Sequence, residues 1–318
     1  MARKPDVDPA ALRELLRRAL GTSAPLRASR TPDGVSTQVY RISRRSQVFY
    51  LRVAEYEQEN LETDAELHRR LGALGVKVPD VVYVEPFDAA LGRSVMITTE
   101  IPGVPAASLT DPTTARSVVR EAGAQLALLN AVPVNGFGWV RRDGAGWPLT
   151  AQYRDYPPFV TAYLPAAWPG ALATLFPAPV LDAFEDLIDR ERHRPVTRAR
   201  LAHGDFDTTP IFCQGGRYTG LIDFGEIRGT EPFFDLGHFH LHDAEGMPFS
   251  LLDAVVAGYR EVTPLGADAR AAIRRSAILL GLRQLGRWIG PDVERPLDHP
   301  AVVDRARRLT HLAVPGGR

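Results

Sequence analysis

The chain has 318 residues, 38 Lys+Arg against 38 Asp+Glu, 45% apolar residues and a single cysteine, Cys213. That length suits two lobes or domains rather than one small core. Zero formal charge argues against a non-specific nucleic-acid or polyanion binder, and one cysteine leaves neither an internal disulfide nor a cysteine-based metal site.

Residues 8–20, "DPAALRELLRRAL", set Leu12, Leu15, Leu16 and Leu20 at helical spacing behind an Asp8-Pro9 start. This predicts a leading helix within residues 1–25. "MARKPDVDPAALRELLRRAL" lacks the apolar core of a secretory signal, and no run approaches a membrane span, so the expected location is the cytoplasm. Next, "ASRTPDGVSTQVYRISRRSQVFYLRVAE" alternates apolar and polar residues around turns at "TPDG" and "SRRS". It predicts three strands, ending near 33, 43 and 54. "ENLETDAELHRRLGALG" reads as a helix stopped by Gly75. "VPDVVYVEPFDAALGRSVMITTEIPG" reads as two strands and a hinge-like end at Pro102-Gly103.

From residue 111 helices dominate. Asp111-Pro112 opens one, and others fall near 179–192, 250–260, 267–289 and 300–312. Residues 131–175, rich in Pro, Gly and aromatics, yield no assignment, and 200–238 reads as short strands and loops. A β-rich first part before a helical remainder predicts an α+β fold in two lobes, an N-lobe over 1–101 and a C-lobe over 102–318, with a cleft between them. The oligomeric state stays open.

The chemistry concentrates in "HGDFDTTPIF" (203–212) and "IDFGEIRG" (222–229). Phosphoryl transfer from a nucleotide needs a carboxylate for the attacking hydroxyl, Mg²⁺ and a basic side chain on the phosphates, and a small-residue loop over them. Kinase-like folds spread these parts along the chain in a fixed order. That order is present here. "DGVSTQVY" brings Gly34, Ser36 and Thr37; "FYLRVA" holds Arg52 within an apolar strand; "ETDAEL" supplies helix acids; Asp205 and Asp223 follow. The order carries the reading further than any single motif.

Over about residues 30–245 the chain resembles the aminoglycoside phosphotransferase family of kinase-like antibiotic and metabolite kinases. The resemblance implies a two-lobed protein-kinase-like fold, with Asp205 as catalytic base, Asp223 as magnesium ligand and Asp235 as a structural brace. It sets Thr99, Glu100 and Ile101 of "VMITTEIPG" beside the base of ATP or GTP. The acceptor would be a hydroxyl of a small molecule, an antibiotic such as an aminoglycoside among the options, held by the C-terminal helices. A protein kinase is disfavoured, because Asp223 to Asp235 leaves little room for a peptide-docking loop.

Three positions depart from the family pattern. Arg52 stands where a lysine is usual, in a chain whose only lysines are Lys4 and Lys77. Arginine binds phosphate through its fork, but it is larger than an ammonium group. Its partner acid falls at Asp64, with Glu62 and Glu66 as rivals. Pro210 stands where the family commonly carries Asn or His beside the metal, and its side chain offers no ligand atom. Asp223 can anchor one Mg²⁺ with phosphates and water. Asp207 is then either a ligand of a second ion or a turn-forming loop acid. A nucleotide-binding pseudokinase of the same fold is therefore the alternative reading. In "HFHLHD", His238 and His242 share a helix face without an evident third metal ligand, so hydrogen-bonded cleft or core histidines are expected. Tyr153, Tyr156, Phe159, Tyr163 and Trp168 either line an acceptor pocket or pack helices.

Overall fold

The computed structural model describes residues 5–21, 26–31, 38–144, 146–162, 164, 168–290 and 293–313. Helix α1 (Pro9–Leu20) begins where the Asp8 carboxylate accepts from Ala11 N, one of the donors that a helix start leaves without an internal partner. Five antiparallel strands follow: β1 (Arg27–Arg30), β2 (Gln38–Arg44), β3 (Gln47–Val53), β4 (Val81–Asp88) and β5 (Arg93–Thr99), with helix α2 (Glu62–Ala73) between β3 and β4. They form one sheet in the order β1-β2-β3-β5-β4. Leu12, Leu15 and Leu16 of α1 pack on one face of it, against Tyr40, Ile42, Phe49, Leu51, Val53, Val95 and Ile97. Strand alternation sends Arg52, between Leu51 and Val53, to the opposite face.

Past the 100–103 hinge come β6 (Val104–Pro105), α3 (Pro112–Leu129), β7 (Pro133–Val134), β8 (Phe137–Val140), β9 (Ala151–Tyr153), α4 (Tyr156–Val160), α5 (Trp168–Leu172) and α6 (Ala178–Arg192). The chain continues through β10 (Ala199–Ala202), β11 (Ile211–Gln214), β12 (Arg217–Leu221), β13 (Arg228–Thr230), α7 (Phe234–His242), α8 (Leu252–Val262), α9 (Ala269–Ile289) and α10 (Pro300–Ala313). The helices carry one large core. The expected α+β fold with a β-rich first lobe and a mainly helical second is present.

The second lobe also holds two small sheets, ordered β7-β10-β13-β8-β9 and β12-β11-β6. Their strands run two to five residues, too short to display an alternating pattern. That is why residues 131–155 yield no assignment from sequence. The small sheets set the site. Antiparallel pairing of Leu201 with Gly229 and Ala202 with Arg228 brings the segments after β10 and before β13 side by side. The β11–β12 hairpin pairs Ile211 with Leu221, so Ile222 N donates to Pro210 O (3.1 Å). At the hinge, Gly103 takes φ +110°, and a Cβ there would lie 2.0 Å from the Cys213 carbonyl oxygen. Glycine alone lets the chain pass so close to β11.

Candidate active site

The 203–210 loop hangs from a buried carboxylate. Asp235, fully buried in the first turn of α7, accepts from His203 N and Gly204 N (both 2.9 Å) and from Asn130 Nδ2 (2.8 Å). A buried charge needs such a set of donors. His203 bonds the carbonyl of Ile222 through Nε2 (2.9 Å), which ties this loop to the 222–227 loop. Phe224 is buried between the rings of His68 on α2 and His203, 4.9 Å from each. Gly204, at φ +90°, runs so near Glu226 that a Cβ would lie 1.9 Å from its carbonyl oxygen.

Directly after this frame Asp205 stands with 48% of its side chain exposed. Partial burial, then the negative charges of Asp207 and Asp223, raise its carboxyl above the usual carboxylate range. Its Oδ1 lies 3.4 Å from His238 Nε2. His238 is buried and gives Nδ1–H to the Phe206 carbonyl (3.2 Å). Burial and then the neighbouring His242, stacked at 4.5 Å, hold His238 well below its ordinary value. His238 thus turns Nε2 toward Asp205 while its other ring nitrogen is taken by the backbone. Among the described residues no group of three His, Cys, Asp or Glu side chains forms a metal cluster, and the two histidines are engaged in hydrogen bonds.

Asp223 is exposed and adopts a left-handed conformation (φ 64°, ψ 63°). Few non-glycine residues take up that backbone, and where they do the strain points to a positional demand. Asp207 binds its own loop: Oδ1 accepts from Thr209 N and Thr209 Oγ1, both at 2.6 Å. This is the turn-forming arrangement. Pro210 is buried.

In the first lobe, Arg52 Nη1 donates to Asp64 Oδ1 at 3.1 Å, and Asp64 is fully buried. Glu62 hydrogen-bonds Asn60, and Glu66 bridges Arg70, so neither rival meets Arg52. A second partner, unmarked by any local motif, also reaches Asp64. Arg142, just past β8, donates Nε to Asp64 Oδ2 (2.7 Å) and Nη2 to Asp64 Oδ1 (3.0 Å). Burial works to raise the Asp64 carboxyl, but the charges of Arg142 and then Arg52 outweigh it and hold the group below its ordinary value. At the hinge, the Glu100 carboxylate lies 3.7 Å from Arg41 and accepts from Tyr50 Oη at 3.5 Å, so its side chain is turned back onto the sheet. Thr99 N donates to Asp80 O, and Ile101 packs at Gly220. Gly34, Ser36, Thr37 and Tyr163 lie outside the described residues. Tyr156 and Phe159 are core residues; Phe159 stacks with Phe137 and Tyr156 meets it at a tilt.

Two lobes, a histidine-braced loop ending in one carboxylate, a second loop presenting another, and a strand cation paired to a helix acid define a kinase-like fold of the phosphotransferase class. A family model described as phosphotransferase enzyme family matches residues 27–273, and the chain belongs to that family. Among solved structures it is similar to a thermostable mutant of the aminoglycoside phosphotransferase APH(4)-Ia in ternary complex with AMP-PNP and hygromycin B (TM-score 0.66, 17% identity, 95% of this chain and 98% of that one). It is also similar to a putative fructosamine-3-kinase from Thermobifida fusca (TM-score 0.61, 20% identity, 96% and 99%). A putative aminoglycoside phosphotransferase from Ralstonia eutropha aligns with a TM-score of 0.61 at 15% identity, over 97% and 96%. Among curated proteins no relative matches. Among the described residues no helix is long and apolar enough to cross a membrane.

Proposed function

We propose that the chain moves the γ-phosphate of ATP or GTP to a hydroxyl of a small molecule in the cytoplasm. On this reading the lobe over 1–101 holds the nucleotide, and the lobe over 102–318 supplies the two loops and the acceptor pocket. The observation that carries it is the joint bracing of the Asp205 and Asp223 loops by His203 and Asp235, together with an Arg52 anchored to the α2 acid Asp64. Asp205 accepts the proton of the attacking hydroxyl, and its raised proton affinity suits that task. Arg52 contacts the phosphates, while Gly34, Ser36 and Thr37 cover them. Backbone groups of Thr99, Glu100 and Ile101 flank the base. Asp223, and Asp207 if a second ion binds, offer the hard oxygen donors that Mg²⁺ prefers. When bound, Mg²⁺ neutralises phosphate charge.

The relatives' names supply the first acceptors to try: aminoglycosides such as hygromycin B, and fructosamines. The test measures Mg²⁺-dependent nucleotide binding and then nucleoside diphosphate release against a library of these, sugars, amino alcohols and nucleosides. Release that requires one acceptor supports the proposal. Absence of nucleotide binding sinks it. Pro210 favours a second reading, a nucleotide-binding pseudokinase, because it removes a ligand atom beside the metal position. Tight Mg²⁺-nucleotide binding without transfer to any acceptor is the result that reading expects.

A further inference from the structure

One carboxylate, Asp64, serves two guanidinium groups, and the stronger claim is not that of Arg52. Arg142 grips both Asp64 oxygens, whereas Arg52 touches one of them at 3.1 Å. The same Arg142 Nη2 also donates to Phe224 O (3.1 Å) and Gly225 O (3.3 Å), the two carbonyls directly after Asp223. Only 10% of the Arg142 side chain is exposed. Its own backbone is fastened as well: Asn60 N, at the entry to α2, donates to Arg142 O at 2.6 Å. Neighbouring contacts follow the same direction. Thr63 Oγ1 donates to Gly144 O, and the Arg70 guanidinium lies 4.0 Å over the Trp147 ring. Arg142, Gly144 and Trp147 therefore lie along α2, from its entry at Asn60 to Arg70.

We propose that Arg142 is a positioning residue that locks Asp64, and through it Arg52, to the Asp223 loop. This inference rests on the function proposed above. The geometry gives the reason. An aspartate is one methylene shorter than glutamate and has little reach of its own. A bidentate arginine fixes it in orientation as well as place. With both Asp64 oxygens held by Arg142, Arg52 is tethered through Nη1 alone and its buried Nε has no hydrogen-bond partner. One carboxylate beside two guanidiniums leaves net positive charge at the Arg52 end, where phosphate would bind. At the other end, the grip on the Phe224 and Gly225 carbonyls fixes the backbone that holds Asp223 in its left-handed conformation. The phosphate-contacting and metal-binding ends of the site are thereby set by one side chain.

The test uses the full chain with AMP-PNP and titrated Mg²⁺. Arg142→Lys keeps a charge at Asp64 but cannot span the carboxylate and both carbonyls. The Mg²⁺ concentration giving half-maximal nucleotide binding is expected to rise about 10- to 100-fold, as for loss of a group that orients a metal ligand. Binding of nucleotide without Mg²⁺ should change far less. A lowered melting temperature with an unchanged Mg²⁺ dependence would mean a merely structural ion pair and overturn the proposal. If Arg142→Lys does not fold, hydrogen exchange on the wild-type chain decides. Mg²⁺-AMP-PNP is expected to protect the amides of 62–68 together with those of 223–227; protection of 223–227 alone overturns it. A wild-type chain that binds no Mg²⁺-nucleotide rejects the underlying function, and this inference with it. Wild-type binding that Arg142→Lys leaves untouched rejects this inference only.

Discussion

Asp205 and His238 face each other across 3.4 Å, a carboxyl of raised proton affinity against a ring of lowered affinity. If Asp205 takes the acceptor's proton, Asp205→Asn removes that step while leaving size and most contacts intact. Turnover should fall about 10²- to 10⁴-fold, with the nucleotide dissociation constant nearly unchanged. Steady-state kinetics paired with AMP-PNP titration checks this, and near-normal turnover would reject the role. Arg52 makes a different prediction. Removing one member of a buried ion pair usually strands its partner and is strongly destabilising. Here Asp64 keeps the bidentate grip of Arg142. Arg52→Ala is therefore expected to weaken nucleotide binding with only a small drop in melting temperature. A large drop with unaltered nucleotide affinity would show Arg52 to be a structural cation.

The elements that present these residues are short, and side-chain bonds rather than length hold them. The loop after β10 has no regular structure of its own from 203 to 210. Its anchor is Asp235 at the start of α7, where a negative charge also meets the positive end of the helix dipole. Asp235→Ala would leave two buried backbone donors and the Asn130 amide without their acceptor. Each such group costs about 1–3 kcal/mol, so a loss of about 3 kcal/mol or more is expected. Denaturant melts measure it, and a loss below about 1 kcal/mol would show that the loop does not depend on this brace. Asp235→Asn, which keeps one acceptor oxygen, should fall between the two.

At the scale of the molecule, what was legible in the sequence followed the length of its periodic segments. α1, α2 and α3 were visible in their caps and apolar spacing, with Asp8-Pro9 and Asp111-Pro112 as starts. The strands β7 to β9 were not, because two to four residues hold no period. The order Arg52, Asp64, Asp205, Asp223 was readable because each falls within a local motif. Arg142 was not, since 78 residues separate it from Asp64 and no local pattern marks the pairing. The histidines of α7 are conspicuous in sequence, but the burial of His238 and the surroundings of His240 are legible only in the packed fold. Burial, and then the charge of Arg308, push His240 down to about 4, and its Nδ1 is buried without a hydrogen-bond partner. Arg270 and Arg274 press the same way, against Asp243. In the unfolded chain the ring titrates near about 6.5. Below that pH the unfolded state binds a proton that the folded state refuses, so this histidine's contribution to stability falls with pH. The loss begins near the unfolded value and stops growing once pH passes the folded value of about 4. The raised carboxyls of Asp205, Glu226 and Glu231 work in the opposite sense, taking up protons more readily when folded. The total pH profile therefore mixes signs, and a comparison isolates the histidine. His240→Gln should gain on the wild type by about 2 kcal/mol between pH 7.5 and pH 5. Thermal melts of both chains at the two pH values provide the measurement, and parallel losses would mean that His240 protonates freely in the folded protein.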